Sequence, residues 1–494
     1  MILCLDGEVA RSSIDHYRLF LHAVPISDKV RKRREGAFNG AAAGVPFSWK
    51  AAAQKITVAR AFACVSMAPP VPAMTMKKIP LILAALLAGL CLACQPDPSK
   101  ARLERVLTTS WQSYCRHFIK SDGQVSLPEE GGGTISEAQA YALLRAVWAN
   151  DAPVFTRVYA WTYKNLSRVH TYGDSLLSWR WGRLPDGSWG VVDANSATDG
   201  DLDYALALVL AARKGWRAPP GLPDYRGEAR RVQTDILAKE VVALTDGELL
   251  LTPGNWHELQ PPYLVNPSYF SPAAYRLFAS ISSETDRERA AERVGAVRAP
   301  PLQTDVEATN NSSRWVRLRG DTYRLLGQLT QGLGGQPGVG LFPDWCQVDG
   351  AGRLHPAPGK DTRFGWEAVR LPFRVALDGL WFKEPRAARL LTDKFLPFFK
   401  SQWQAHGRLL AVYTFDGVPG VDYESPVLYA GVLAGALAAG DRDFAREMAL
   451  KILSFYREDG DRAFFEAPDH YYANNWAWLG LALYAGWVEP GKAY

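Results

Sequence analysis

The chain has 494 residues, 48% of them hydrophobic and 12% aromatic, which is ample for a large packed core. Its formal charge of +5 is uneven, because residues 1–78 hold 12 of the 56 Lys and Arg but only 5 of the 51 Asp and Glu. The 44 basic and 46 acidic residues that remain leave the body near −2, which excludes the electrostatic footprint of a nucleic-acid-binding protein. Seventeen Trp are many for this length. Each alone fits a core, but as a set they supply flat apolar faces, each with one donor, that suit sugar rings.

Residues 1–75 show no sustained hydrophobic period and include the basic cluster Arg31-Lys32-Arg33-Arg34; they read as an over-long gene start or an N-terminal extension. Met76-Lys77-Lys78 then leads an apolar run, Ile79 to Ala93, too short to span a bilayer and built like a secretory signal. Met74 or Met76 is the expected initiator. The run ends Leu90-Cys91-Leu92-Ala93-Cys94-Gln95, similar to a bacterial lipoprotein signal with Cys94 as the lipidated residue. Cys91 stands where Leu is usual, so plain cleavage and release stays open. Of six Cys only Cys115 and Cys346 lie in the body; export permits a disulfide between them, but sequence separation says nothing of proximity. No Cys/His spacing resembles a metal site, and no metal or cofactor is implied.

Residues 95–494 read as one domain. Helical patterns dominate it, at Ala138–Trp148, Val154–Leu166, Leu202–Ala212, Ala273–Ile281, Trp366–Phe382, Ala387–Phe399, Pro426–Ala439, Phe444–Tyr456 and Asn474–Ala485, with loops rich in Gly, Pro and Asn between them. Strand-like alternation is sparse. The expected fold is all-α, an α/α barrel or toroid whose loops carry the site.

Three motifs carry chemistry. In Gly131–Tyr141, Ser136 and Gln139 fit a capping box, which places Glu137 in the first turn of a helix behind a Gly-rich loop. Its bland role is to complement the helix dipole, which lowers its pKa; a catalytic acid needs a raised one. In Asp193–Trp216, Asn195, Ser196 and Thr198 can cap a helix that begins with Asp199, Asp201 and Asp203 and continues apolar on nearly every face. Acids at the head of a buried helix either satisfy its positive end or bind and catalyse. The third motif joins Pro343-Asp344-Trp345 to Gly365-Trp366-Glu367-Ala368-Val369-Arg370, where Glu367 and Arg370 are spaced for an i,i+3 ion pair.

Thr134–Tyr141 resembles the T-x-S-E-G-Q-x-Y-G-M element of glycoside hydrolase family 8, and Ala197-Thr198-Asp199-Gly200-Asp201 with Ala205 and Trp216 resembles that family's A-[ST]-D-[AG]-D signature. Asn266-Pro267-Ser268-Tyr269-Phe270, Pro343-Asp344-Trp345 and Asp469–Trp478 fall in the family's order, so the resemblance spans about Leu103 to Trp487. It implies an (α/α)6 barrel and inverting hydrolysis of β-1,4-linked glucan, chitosan or xylan. By motif, Glu137 resembles the general acid and Asp199 the carboxylate that holds the distorted sugar. Glu367 stands at the Asp of Y-D-A-x-R-x-P-W-R, the general base, and Arg370 matches the Arg that follows it. Such chemistry needs two carboxyl groups roughly 6.5–9.5 Å apart with a water between them. The departures are Glu for Asp at 367, Trp366 for Tyr, Ala138 and Ala142 for Gly, and Tyr204 for Ile or Met.

Expected substrate-binding residues are Asp201, Trp179, Trp181, Trp189, Tyr269, Arg370 and Trp366. The resemblance is nearest to the endoglucanases of bacterial cellulose-synthesis systems. It implies an exported, lipid-anchored or secreted endo-1,4-β-glucanase of the periplasm or outer membrane, with a β-linked polysaccharide and a synthesis or export machine as partners. The alternatives are a chitosanase or another exopolysaccharide hydrolase, and a non-catalytic glucan-binding lipoprotein in which the altered base has ended turnover.

Overall fold

The computed structural model describes residues 99–282 and 303–491. The leader with Cys94 lies outside the described residues. Twelve helices of eleven residues or more follow one another among the described residues: α1 (Lys100–Phe118), α2 (Ser136–Trp148), α3 (Ala152–Leu166), α4 (Thr198–Arg213), α5 (Tyr225–Lys239), α6 (272–282), α7 (Gln303–Leu329), α8 (Leu371–Phe382), α9 (Leu396–His406), α10 (Pro426–Ala438), α11 (Arg442–Ser454) and α12 (Tyr471–Tyr484). The even-numbered helices are buried on nearly all sides, and the odd-numbered ones bury one stripe. Six inner helices ringed by six outer ones make an (α/α)6 barrel, the fold the sequence implies.

Composition explains which helix goes where. α10 reads PVLYAGVLAGALA, with Pro426 in its first turn and the Ser425 hydroxyl accepting the Val427 N–H at 3.3 Å. It has no polar face, so only the interior can take it; each fully buried Val or Leu there is worth about 1.5–3 kcal/mol. Small residues set the spacing of the ring. A Cβ on Gly431 would stand 2.5 Å from the Val369 carbonyl oxygen, and one on Gly480 of α12 would stand 2.8 Å from the Ala430 Cβ.

Three outer helices, α1, α5 and α7, fall outside the helical patterns read from the sequence. Their apolar stripes are narrow and interrupted by charge. In α1 the buried face is Leu103, Val106, Leu107, Trp111, Tyr114 and Phe118, with Arg, Glu and Gln between. Helix α8 starts five residues later than the pattern suggests. Asp344 explains this, because its Oδ1 accepts the N–H groups of Gly365, Glu367 and Ala368 at 3.0, 3.1 and 2.7 Å and holds that segment as a turn. Cys115 and Cys346 are both free thiols, so no disulfide joins them.

The local caps differ from expectation. Ser136 is the first residue of α2, not its cap; its hydroxyl is buried with no partner, and Gln139 instead accepts the Val125 N–H at 2.6 Å. Ala197 precedes α4, while Ser196 donates to Glu240 and Thr198 to the Thr252 carbonyl oxygen. Both helices begin where tertiary partners, rather than their own caps, fix the chain.

The heads of α2 and α4 cross at Gly200, where a Cβ would lie 2.4 Å from the Ser136 hydroxyl oxygen and 3.2 Å from the Glu137 nitrogen. Gly200→Ala therefore forces the two acid-bearing turns apart. A stability loss of about 1–3 kcal/mol by denaturant titration is expected. An unchanged midpoint would show that the crossing has slack.

Candidate active site

The inner helices present their N-terminal ends to one side of the barrel. Glu137 is in the first turn of α2, Asp199 in that of α4, Glu367 and Arg370 lead into α8, and Tyr471 and Tyr472 open α12. Backbone bonds tie the first two segments. Strands β1 (Thr134–Ile135), β2 (Arg180–Arg183) and β3 (Trp189–Asp193) form one antiparallel sheet. Beside it the Ser136 N–H donates to the Trp179 carbonyl oxygen at 2.9 Å and the Trp179 N–H to that of Asn195 at 2.7 Å. The chain before Glu137 and the chain before Asp199 thus share one partner.

Arg370 is the centre. Its guanidinium, 2% exposed, donates through Nη1 to Glu137 Oε2 at 2.5 Å and to Asp199 Oδ2 at 2.9 Å. Through Nη2 it donates to Ser268 at 2.9 Å and to Glu367 Oε2. The i,i+3 pair expected with Glu367 is present, joined by two acids from distant helices. The Tyr269 ring lies under the guanidinium, 5.3 Å from its centroid. A closed circuit follows: Ser268 donates to Asn266 Oδ1 at 2.7 Å, and Asn266 Nδ2 donates to Glu367 Oε2 at 2.8 Å. Both of these bonds on Glu367 fall on Oε2.

One turn deeper the pattern repeats. Arg374 makes a two-pronged pair with Asp203 at 2.6 and 2.7 Å, and both are buried. Such pairs fix register, because removing either partner strands a charge in the core.

Burial raises Glu137 to about 7. Arg370 opposes that rise, Asp199 adds to it, and the Tyr471 hydroxyl, which donates to Oε1, lowers it. Burial also raises Glu367, again opposed by Arg370. Desolvation outweighs dipole and ion pair, so Glu137 holds its proton near neutrality, as a general acid must.

The other expected site residues separate. Asp201 is fully enclosed; its Oδ1 accepts the Leu177 N–H at 2.7 Å, so it has no face toward a substrate. The reason is helical geometry, since a residue two positions on points to the opposite side. Tyr269 is 3% exposed and its ring carries Arg370, so it supports the cation instead of presenting a platform. Trp179 is half-buried at the junction just described, and Trp366 is half-buried, edge-on to Tyr472 at 6.5 Å. Trp181 and Trp189 stack on each other at 5.1 Å, with Trp189 43% exposed.

Sequence reasoning missed several contributors. Tyr471 and Asn266 hold the two catalytic candidates, and Tyr141 reaches Arg370 at 3.4 Å. Trp256, 41% exposed, anchors its Nε1–H on the Ser196 carbonyl oxygen at 3.1 Å, beside the Asp199 segment. Its aromatic character was the available signal, but it sits in a loop with no period to place it.

Fold and site together define an (α/α)6-barrel protein with three carboxyl groups on a shared arginine at one end of its inner helices. Over residues 79–293 the sequence matches the model of glycosyl hydrolases family 8. It is 35% identical over 174 residues to an endoglucanase of Pseudomonas fluorescens, covering 34% of this chain and 42% of that one. It is 25% identical over 366 residues to Endoglucanase 2 of Ruminiclostridium josui, covering 72% and 67%. The chain thus spans less than half the length of the first relative and about two thirds of the second. Endoglucanase Cel10, a family 8 glycosyl hydrolase from Klebsiella pneumoniae, shares the fold with a TM-score of 0.53 at 22% identity, covering 76% of this chain and 99% of that one.

Tyr471→Phe removes a donor that favours the charged form of Glu137, so the Glu137 pKa should rise further above about 7. Carboxyl 13C NMR of selectively labelled Glu reads this directly. A value that falls or stays would mean the hydroxyl does not act on the acid.

Proposed function

We propose that this protein is an inverting hydrolase of β-1,4-glucan that cuts within the polymer. The observation that carries the reading is the single buried guanidinium that gathers Glu137, Asp199 and Glu367. Glu137, protonated near neutrality, gives its proton to the leaving oxygen. Glu367, through Oε1, takes a proton from the water that attacks the opposite face of the ring. Asp199 holds the sugar between them, and Arg370 keeps the three acids from repelling one another apart. The family 8 match over residues 79–293 and the similarity to endoglucanases support this assignment. The half-exposed Trp256 and Trp189, with Trp181 stacked on the latter, and the half-buried Trp179 and Trp366 are the candidate sugar platforms.

Wild type, Glu137→Gln and Glu367→Asp are to be tested on carboxymethylcellulose, mixed-linkage glucan, chitosan and xylan, with reducing ends counted and the first anomer read by NMR. Release of the α-anomer from a β-glucan, reduced at least a hundredfold in Glu137→Gln, is expected. Because the acid must be protonated and the base ionised, kcat/KM should fall as pH rises through about 7 and fall again on the acid side as Glu367 takes up a proton. Wild type silent on every polymer, with Glu367→Asp active, would instead establish a binding protein whose base has been switched off.

The leader Met76–Cys94 supports export, and its end supports lipidation at Cys94 in the periplasm or outer membrane, alongside a polysaccharide synthesis or export machine. Mass spectrometry of the mature N-terminus from cells should find an acylated Cys94. An unmodified N-terminus would refute the anchor.

A further inference from the structure

Beneath the site two more acids meet, with Arg168, the cation that faces them, paired to Asp174. Asp201 lies in the first turn of α4, two residues past Asp199, and Glu240 directly follows α5. Both are 0% exposed, and their carboxyl groups lie close enough to interact. Asp201 Oδ1 accepts the Leu177 N–H at 2.7 Å, and Glu240 Oε1 accepts the Ser196 O–H at 2.5 Å. No donor is bonded to Asp201 Oδ2 or Glu240 Oε2. The Thr198 hydroxyl also lies against Glu240 but gives its hydrogen to the Thr252 carbonyl oxygen at 2.8 Å.

The neighbouring charges are engaged elsewhere. Arg168, the cation that faces both acids, pairs with Asp174 and donates to the Ala194 carbonyl oxygen; Lys239 of α5 also pairs with Asp174. Arg370 is held by Asp199 and Arg374 by Asp203. Asp235 of α5 accepts the Ser175 N–H at 2.7 Å. A hydrogen bond between two carboxyl groups exists only while one of them holds a proton, and two buried carboxylates with no cation between them repel strongly.

We propose that Asp201 and Glu240 share one proton, and that this acid–carboxylate bond is a clamp that positions the turn bearing Asp199. Three stretches of chain close on it: Leu177, two residues before the Trp179 junction; Ser196, in the approach to α4; and the first turn of α4 itself. Both acids are positioning residues. Neither faces the substrate, and each acts through the backbone that presents Asp199. This last step rests on the hydrolase reading; the shared proton does not.

Burial raises both acids of the pair, Asp201 well above its ordinary range and Glu240 up to about 8 against an ordinary 4.5. The folded state keeps a proton that the unfolded chain releases from about 4.5 upward. The Glu240 contribution to stability therefore falls as pH rises from 4.5 to about 8, and Asp201, raised in the same way, adds a fall of the same sign. An amide mimics the protonated acid at every pH. Asn at 201 can likewise accept from Leu177 and donate to an ionised Glu240.

The test is thermal unfolding of the full chain from pH 5 to pH 9 for wild type, Glu240→Gln and Asp201→Asn, with kcat/KM on the hydrolysed glucan across the same range. Both variants should fold, and their loss of Tm between pH 5 and pH 9 should be smaller than that of wild type by on the order of 2 °C. The alkaline decline in kcat/KM should be shallower in both. Wild-type Tm slopes in both variants, or failure of both to fold at pH 5, would overturn the shared proton. Flattened Tm slopes with an unchanged pH–rate profile would overturn the positioning role. If the protein hydrolyses nothing, the Tm slopes still decide the shared proton, so failure of the hydrolase reading is told apart from failure of the clamp.

Discussion

One buried guanidinium decides this site. Glu137, Asp199 and Glu367 come from three inner helices, and their carboxyl groups in one water-poor space would repel one another unless a cation stood among them. Arg370 is that cation, and it cannot lose its charge to relieve the burial. Yet it does not dominate. Glu137 is raised to about 7 despite a direct contact with it, so desolvation and the neighbouring carboxylates outweigh the ion pair by about 3 kcal/mol in favour of the protonated form. An acid kept protonated beside a second carboxyl on the same cation is the arrangement that the proposed hydrolysis uses.

The barrel exists, in functional terms, to hold that arginine's partners still. Inner helices with no polar side have one place to go, and small residues let them approach until their heads form a ring. The two deepest constraints are steric and backbone: Gly200 lets the α2 and α4 turns touch, and Trp179 bonds through its backbone to both approaching chains. Below them Asp203 and Arg374 repeat the Asp199–Arg370 pairing one turn into the core. A displacement of α8 against α4 would break both pairs at once, so the helices have one register.

What could be read from the sequence follows from the same physics. Inner helices were legible because a segment apolar on every side for ten or more residues is stable only in an interior. Outer α1, α5 and α7 were not, since a stripe of Leu103, Val106, Leu107 and Trp111 among charges looks like a mixed loop until a barrel supplies its other half. Glu137, Asp199, Glu367 and Arg370 were found by motif, and the structure brings all four together. Their distant pairing was not legible, because only the i,i+3 relation is local. Asp201 illustrates a signal that was present but misleading. Acids at 199, 201 and 203 look like one cluster along the chain, but on a helix the first and third share a face and the second opposes them. Asp199 and Asp203 find arginines on α8 and its approach, while Asp201 turns away to Glu240. Tyr269 was misplaced for a related reason: an aromatic beside a motif reads as a platform, but its ring face is already filled by Arg370.

Glu367 stands where the resemblance has Asp, and its surroundings show how the longer side chain is held. A longer side chain on a loose backbone would let the carboxylate wander by about one bond length, roughly 1.5 Å. Here the backbone is not loose, since Asp344 binds three N–H groups around it and the Tyr472 hydroxyl donates to the Trp366 carbonyl oxygen at 2.5 Å. Nor is the carboxylate loose, since Arg370 and Asn266 both donate to Oε2. With one end of the side chain fixed by the turn and the other by two donors, the extra methylene sets where Oε1 points. The long arm and its partners form one matched unit, and a shorter Asp on the same turn would fall short of both donors.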